Sequence, residues 1–156
     1  MNPRHEEVLR GAYLFEELSP GELEQFVGSM NTESYAPNEM IIGEGQTGTD
    51  LYLILSGSVR VTKRATDEIE QVIGLLRRGE FFGEMALVDK KPRSASVYAH
   101  ESTELALFSH DSIYRIFESN PEVAFRVMRK FAEVLSLRLR DTDDKLKTLF
   151  LVERTL

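Results

Sequence analysis

The chain contains no cysteine and no tryptophan. Without cysteine there is no disulfide, no thiolate zinc site and no cysteine-ligated iron–sulfur cluster, and the absence fits a reducing cytosol. Positive charge is scarce: 19 Lys and Arg stand against 26 Asp and Glu, a formal net charge of -7. Such a chain has no broad electrostatic footprint for nucleic acid or for an anionic membrane surface. Long apolar runs are missing too. None approaches the ~20 residues of a membrane span, and the polar start, Met1-Asn2-Pro3-Arg4-His5-Glu6-Glu7, lacks the apolar core of a signal peptide. Internal repeats and low-complexity tracts are absent. His5, His100 and His110 are scattered, with neither metal-ligand spacing nor a place in a Ser–His–Asp set. The expectation is a cytoplasmic protein with no catalytic residue, no metal and no cofactor, and with neither nucleic acid nor membrane as a partner.

What is present is an ordinary globular balance: 156 residues, 42% apolar and 29% charged, a length that fits one domain. The N-terminal part, about 5–30, reads as two short helices. The first spans about His5 to Phe15, with Val8, Leu9 and Ala12 on one side. The second opens at Ser19-Pro20-Gly21-Glu22, where Ser19 is the N-cap, Pro20 the first helical residue and Glu22, three residues after the cap, its capping-box partner.

From about 39 to 108 short apolar runs alternate with glycine-containing turns. The runs are Met40–Ile42, Leu51–Leu55, Ser58–Thr62, Ile69–Leu76, Ser94–Ala99 and Glu104–Phe108, and many short strands at close spacing predict an antiparallel sandwich or roll. Val59 and Val61 alternate with Ser58, Arg60 and Thr62 as on a half-buried strand. The region of about 110–152 is helical again: Ser109, Asp111 and Ser112 are candidate caps, and Asn120-Pro121-Glu122 opens a helix that runs to about Leu151. Along it Met128, Ala132, Leu135, Leu139, Thr142, Leu146 and Leu149 follow a heptad seam. That stripe either packs on the chain's own sheet or faces a second copy. A stripe ~30 Å long is hard to bury within one small domain, which favours a homodimer.

The informative segment is Phe81-Phe82-Gly83-Glu84-Met85-Ala86-Leu87, followed by Pro92-Arg93-Ser94-Ala95-Ser96. Gly83 permits close backbone approach. Met85, Ala86 and Leu87 favour a helix whose first N–H groups face an anion. Glu84 can accept from sugar hydroxyls, Arg93 offers a planar fork for phosphate oxygens, and Ser94 adds a hydroxyl donor. Taken singly, these are also the features of a solvated turn with a surface ion pair.

Together they resemble the phosphate-binding cassette of the cyclic nucleotide-binding domain family, the family of the catabolite activator protein. The flanks agree: Gly45 to Val59 is similar to that family's glycine-rich turn and central hairpin, and Leu76-Arg77-Arg78-Gly79-Glu80 to its lead-in. The resemblance covers roughly Leu14 to Leu146. It implies an α+β fold: an antiparallel β-roll, jelly-roll-like, of about eight strands, with short N-terminal helices, a short cassette helix at about Gly83 to Leu87 and a long C-terminal helix. It further implies that Glu84 accepts the ribose 2′-hydroxyl and that Arg93 pairs with the phosphate. Backbone N–H groups of Met85, Ala86 and Ala95 and the Ser94 hydroxyl would complete the phosphate shell. Val61 and Ile73 would line the sugar and base, or else are plain core. Ser136, Arg138 and Thr142 are the candidates for a base cap from the long helix.

The ligand is then cAMP or cGMP, and Ser94 after the arginine is compatible with either. DNA-binding relatives append a helix-turn-helix domain after the long helix, and a chain ending at Leu156 has no room for one. The expectation is one domain, 1–156, acting as a stand-alone receptor that signals through its C-terminal helix to an effector protein or a dimer mate. A dimerisation module with an empty pocket is the alternative, against which the intact Glu84 and Arg93 argue. A phosphodiesterase would need a metal cluster or general base that the sequence does not display.

Overall fold

The computed structural model describes residues 2–154. Helix α1 (Pro3–Gly11) is capped by the Asn2 side chain, which accepts from the Arg4 N–H. It stops short of the expected Phe15: Ala12 is extended and Tyr13–Phe15 form a single 3-10 turn. Gly11 is a poor helix former, and the break lets Ala12, Leu14 and Phe15 all bury, which one helical face could not do. Helix α2 (Pro20–Ser29) follows with the expected capping box, Ser19 and Glu22 each bonding the other's backbone N–H.

Eight antiparallel strands come next: β1 (Asn31–Tyr35), β2 (Met40–Ile42), β3 (Leu51–Ser56), β4 (Ser58–Arg64), β5 (Glu70–Arg77), β6 (Phe81–Phe82), β7 (Ser96–Ala99) and β8 (Thr103–Phe108). They form two four-stranded sheets, in the orders β1-β8-β3-β6 and β2-β7-β4-β5. A short helix α3 (Glu84–Asp89) interrupts the strands, and helices α4 (His110–Ser119) and α5 (Pro121–Glu153) close the order. The expected roll with its cassette helix and long C-terminal helix is therefore observed.

Strand β3 explains the architecture. Its first five residues are all buried, because both of its faces are covered. Leu51, Leu53 and Leu55 belong to the cluster under the helices, with Phe15, Phe26, Phe108, Ile113, Val127 and Phe131. Tyr52 and Ile54 point the other way, between the sheets, with Ile42, Val59, Phe82, Val97 and Leu105. Gly57 turns β3 into β4 at φ 80°, and a Cβ there would lie 2.3 Å from the Ser102 carbonyl.

Two strands lie outside the predicted runs. β1 (Asn-Thr-Glu-Ser-Tyr) is polar and mostly exposed, and is a strand because it pairs in register with β8, Asn31 against Leu107 through Tyr35 against Thr103. β6 is two residues paired with Tyr52 and Leu53. The roll thus begins at Asn31, not at 39. β7 begins at Ser96, not Ser94, because the preceding residues are held elsewhere. The simple alternation expected for β4 also fails. Ser58 and Thr62 are buried alongside Val59, and their hydroxyls donate to Glu101 and Glu70.

Helix α5 has two apolar stripes. Val123, Val127 and Phe131 are buried against the body. The heptad seam is a different stripe: Leu135 is half-buried, but Met128, Leu139, Leu146 and Leu149 are exposed, so intramolecular packing does not cover most of it. The near half of α5 is fastened by charge as well. Arg126 donates to both oxygens of Glu22 (2.6 and 3.1 Å), and Lys130 pairs with Glu16 with its ammonium 4.0 Å from the Tyr13 ring centroid.

The Arg126 guanidinium, and after it the Ser19 N–H, hold the Glu22 carboxyl below the usual range. A carboxyl whose folded pKa is depressed contributes stability above its unfolded pKa, about 4.3, and that contribution is lost as pH falls through the folded value. Glu22→Gln is therefore expected to lower the thermal midpoint at neutral pH, with the gap to the unmodified protein closing below about pH 4. Circular dichroism melts across pH 3–7 check this, and a gap that widens toward acid contradicts it.

Candidate functional site

The residues singled out in sequence converge where β3, β6, α3 and the loop before β7 meet. Gly83 caps α3 in the left-handed region (φ 86°). A Cβ there would lie 2.7 Å from the Asp50 carbonyl oxygen and 3.0 Å from Arg93 Nη1. The first N–H of α3 with an intrahelical acceptor is that of Leu87, to the Gly83 oxygen at 3.4 Å, leaving the N–H groups before it without an acceptor in their own helix. Ala86 is buried, Met85 exposed and Ala95 half-buried.

Arg93 is only 7% exposed. Its Nη1 donates to the Gly83 carbonyl and its Nη2 to the Asp50 carbonyl, both at 3.1 Å, and the guanidinium lies 5.7 Å from the Tyr52 ring centroid. Among the described residues its polar partners are thus carbonyls and not a carboxylate. A buried cation without a counter-ion is costly. A guanidinium has five N–H groups, so three are left to donate once the two carbonyls are served. The backbone of Arg93 is held equally firmly: its N–H donates to the Gln46 carbonyl and its carbonyl accepts from the Gly45 N–H, both at 2.8 Å. Next to it the Glu44 N–H donates to the Ser96 hydroxyl at 2.9 Å. The glycine-rich turn is therefore a backbone strap across the cassette loop, which is why β7 starts late.

Ser94 is exposed, with its hydroxyl 3.6 Å from the Met85 sulfur, and its carbonyl accepts from Lys63 Nζ. Lys63 also pairs with Glu44 at 3.4 Å. The Arg64 backbone N–H, and less strongly Lys63, hold the Glu44 carboxyl below the usual range.

Glu84 is buried at 6% exposure. Its Oε1 accepts from Arg138 Nη1 at 2.8 Å, and Arg138 Nη2 donates to the Phe81 carbonyl at 2.7 Å with its guanidinium 5.0 Å from the Phe81 ring centroid. Of the three residues considered on α5, Arg138 reaches the cassette. Thr142 is exposed and donates to the Arg138 carbonyl, and Ser136 is exposed.

Val61 is half-buried on β4 opposite Gly74. The register shifts there, Thr62 pairing with Val72, so Ile73 has no partner of its own and stands 50% exposed. A Cβ at Gly74 would meet nothing within 4 Å, so open space adjoins Val61. Gly48, Asp50, Tyr52 and Phe81 complete the surroundings; sequence placed them in the glycine-rich turn, the central hairpin and the start of the cassette segment, but gave none of them a role. Among the described residues no cluster of three or more His, Asp or Glu could hold a metal ion, and no helix is long and apolar enough to cross a membrane.

Comparison with known proteins agrees with this geometry. Residues 32–120 match the sequence model of the cyclic nucleotide-binding domain. The chain is 34% identical over 141 residues to a cyclic AMP receptor protein of Thermus thermophilus, covering 90% of this chain and 63% of that protein. It is 30% identical over 138 residues to a cAMP-dependent protein kinase regulatory subunit of Mycosarcoma maydis, covering 88% of this chain and 25% of the relative. It thus spans less than two thirds of the length of these relatives. Its fold superposes on a cyclic nucleotide-binding domain from Methylobacillus flagellatus with a TM-score of 0.80 at 29% identity, over 91% of this chain and 80% of that one. With the roll matched through β8 and the glutamate and arginine of the cassette buried at one place, the chain belongs to the cyclic nucleotide-binding domain family.

Proposed function

We propose that residues 1–156 form one cytoplasmic receptor domain for cAMP or cGMP, without catalytic chemistry, that reports occupancy through α5 to an effector protein or to a second copy of the chain. The observation that carries this reading is the buried Arg93 guanidinium, held by two carbonyls and an aromatic ring and, among the described residues, in no ion pair with a carboxylate. One phosphodiester charge would neutralise it. The phosphate oxygens accept from Arg93, from the N–H groups of Met85, Ala86 and Ala95, and from the Ser94 hydroxyl. The ribose 2′-hydroxyl donates to Glu84, and Val61 and Ile73 line the sugar and base beside the open space at Gly74.

The contact between Glu84 and Arg138 supports a route from site to helix. A hydroxyl donating to the Glu84 carboxylate changes the hold of that carboxylate on α5 through Arg138, and Ser136, Arg138 and Thr142 stay the candidates for a base cap from that helix. A ligand shifts α5 only as far as its affinities for the two arrangements differ, typically by about 1–3 kcal/mol. The exposed seam from Met128 to Leu149 supports a homodimer through the same helix. The test is calorimetric titration of the protein with cAMP and with cGMP, with light scattering on the same samples. The expected result is saturable binding of at least one nucleotide by a dimer. No heat and no competition with either nucleotide sinks the receptor reading, and a monomer at tens of micromolar removes the dimer.

A further inference from the structure

We propose that Tyr52 is the positioning residue for Arg93, and that it acts through the face of its ring, holding the guanidinium in the pose that meets the anion. The proposal rests on the receptor reading above and adds a residue to it. Tyr52 lies on β3, its side chain among the residues between the two sheets. Its ring is stacked on Phe82 with centroids 4.9 Å apart and planes 2° from parallel. Phe82 is its directly opposite partner across the β3–β6 ladder, so backbone pairing fixes both rings. The Arg93 guanidinium sits 5.7 Å from the Tyr52 centroid. Asp50, two residues before Tyr52, accepts from Arg93 Nη2, and Gly83, next after Phe82, accepts from Nη1. The β3–β6 pair thus supplies the stacked rings, and the residues flanking it supply the carbonyls.

The choice of group has a physical logic. A carboxylate at this place would hold the guanidinium as well or better, but it would cancel the charge and compete with an incoming phosphate. A ring face attracts a cation through its quadrupole without satisfying its remaining N–H groups. The site therefore keeps a fixed arginine and an unspent charge together. Burial pushes the Tyr52 phenol above its usual range, opposed by the Arg93 charge, so the ring stays neutral at physiological pH.

The test compares Tyr52→Phe, which keeps the face, with Tyr52→Leu, which removes it, in both the unmodified and the Arg93→Ala backgrounds. Nucleotide affinity by calorimetry is expected to stay within about twofold for Tyr52→Phe and to fall about five- to thirtyfold for Tyr52→Leu. In the Arg93→Ala background Tyr52→Leu is expected to change affinity by less than about twofold, because the residue acts through the arginine. An equal loss in both backgrounds assigns Tyr52 to general packing and overturns the proposal. A loss for Tyr52→Phe as large as for Tyr52→Leu overturns the ring-face role.

A second readout needs no nucleotide. Nitrogen-15 spectra of the Arg93 guanidinium are expected to show separate Nη1 and Nη2 signals in the unmodified protein and in Tyr52→Phe, and a single averaged signal in Tyr52→Leu, where rotation about Nε–Cζ is freed. Separate signals in Tyr52→Leu overturn the proposal. This arm stands even if neither nucleotide binds, an outcome that would sink the receptor reading alone. If Tyr52→Leu does not fold, Tyr52→Met, of similar volume but without a ring, carries the same expectations.

Discussion

Arg93→Ala is expected to lower affinity for cAMP or cGMP by about ten- to a hundredfold, the equivalent of losing a charge-assisted pair of roughly 1.5–3 kcal/mol. The fork is delivered to the site by main-chain bonds at Gly45 and Gln46 and by its own bonds to the Gly83 and Asp50 carbonyls. Little side-chain entropy is then left to lose when an anion arrives, so the interaction is not discounted by ordering. Arg93→Lys is expected to fall between the two, since an ammonium keeps the charge but cannot serve both carbonyls and the phosphate from one planar group. Chemical denaturation without nucleotide separates this loss from unfolding. Equal dissociation constants for the unmodified protein and Arg93→Ala would refute the assignment. Glu84→Gln, which retains one acceptor oxygen, is expected to cost less. A larger loss there would reverse the two roles.

Phe131→Ala is expected to be the most damaging substitution to the fold, at about 3–5 kcal/mol. Phe131 is 2% exposed, and its ring meets Phe81 edge-on at 5.0 Å. Phe81 in turn carries Arg138 on its ring and its carbonyl. The cavity left by the truncation would lie where α5 docks beside the cassette, against Phe81 of β6. For a domain of this length the thermal midpoint should fall by roughly 10 °C or more. Leu137→Ala on the same helix is the control: Leu137 is 64% exposed, and its truncation should stay within about 0.5 kcal/mol. Similar midpoints for the two variants would show that α5 is not anchored through Phe131.

The two predictions differ in how visible their residues are in sequence. Glu84 and Arg93 stand out because they sit in a motif whose glycine, helix formers and fork have separate reasons to be there. Phe131 lies in a helix with two apolar stripes, and periodicity alone favours the wrong one for docking. The heptad residues from Met128 to Leu149 repeat more regularly, yet Met128, Leu139, Leu146 and Leu149 are exposed and Leu135 is only half-buried. The buried set, Val123, Val127 and Phe131, is shorter and passes into the polar Arg138, whose partner lies 54 residues earlier at Glu84.

Local chemistry along the chain was enough for the capped starts of α2, α4 and α5, for the apolar strands and for the composition of the cassette, because caps, propensities and turn glycines act within a few residues. It was not enough for β1, a polar segment made a strand by the edge that β8 offers, nor for the end of α1, set by what Leu14 and Phe15 could bury. Nor could it reveal that Ser58 and Thr62 are buried, since that depends on distant carboxylates to receive their hydroxyls. At the site, sequence singled out Arg93 and Glu84, whereas tertiary structure decided what they touch: the Gly83 and Asp50 carbonyls and the Tyr52 ring for Arg93, Arg138 for Glu84. Those pairings cross sheets and helices, and a guanidinium chooses its carbonyls and ring by proximity in the folded chain, which no spacing along the sequence encodes.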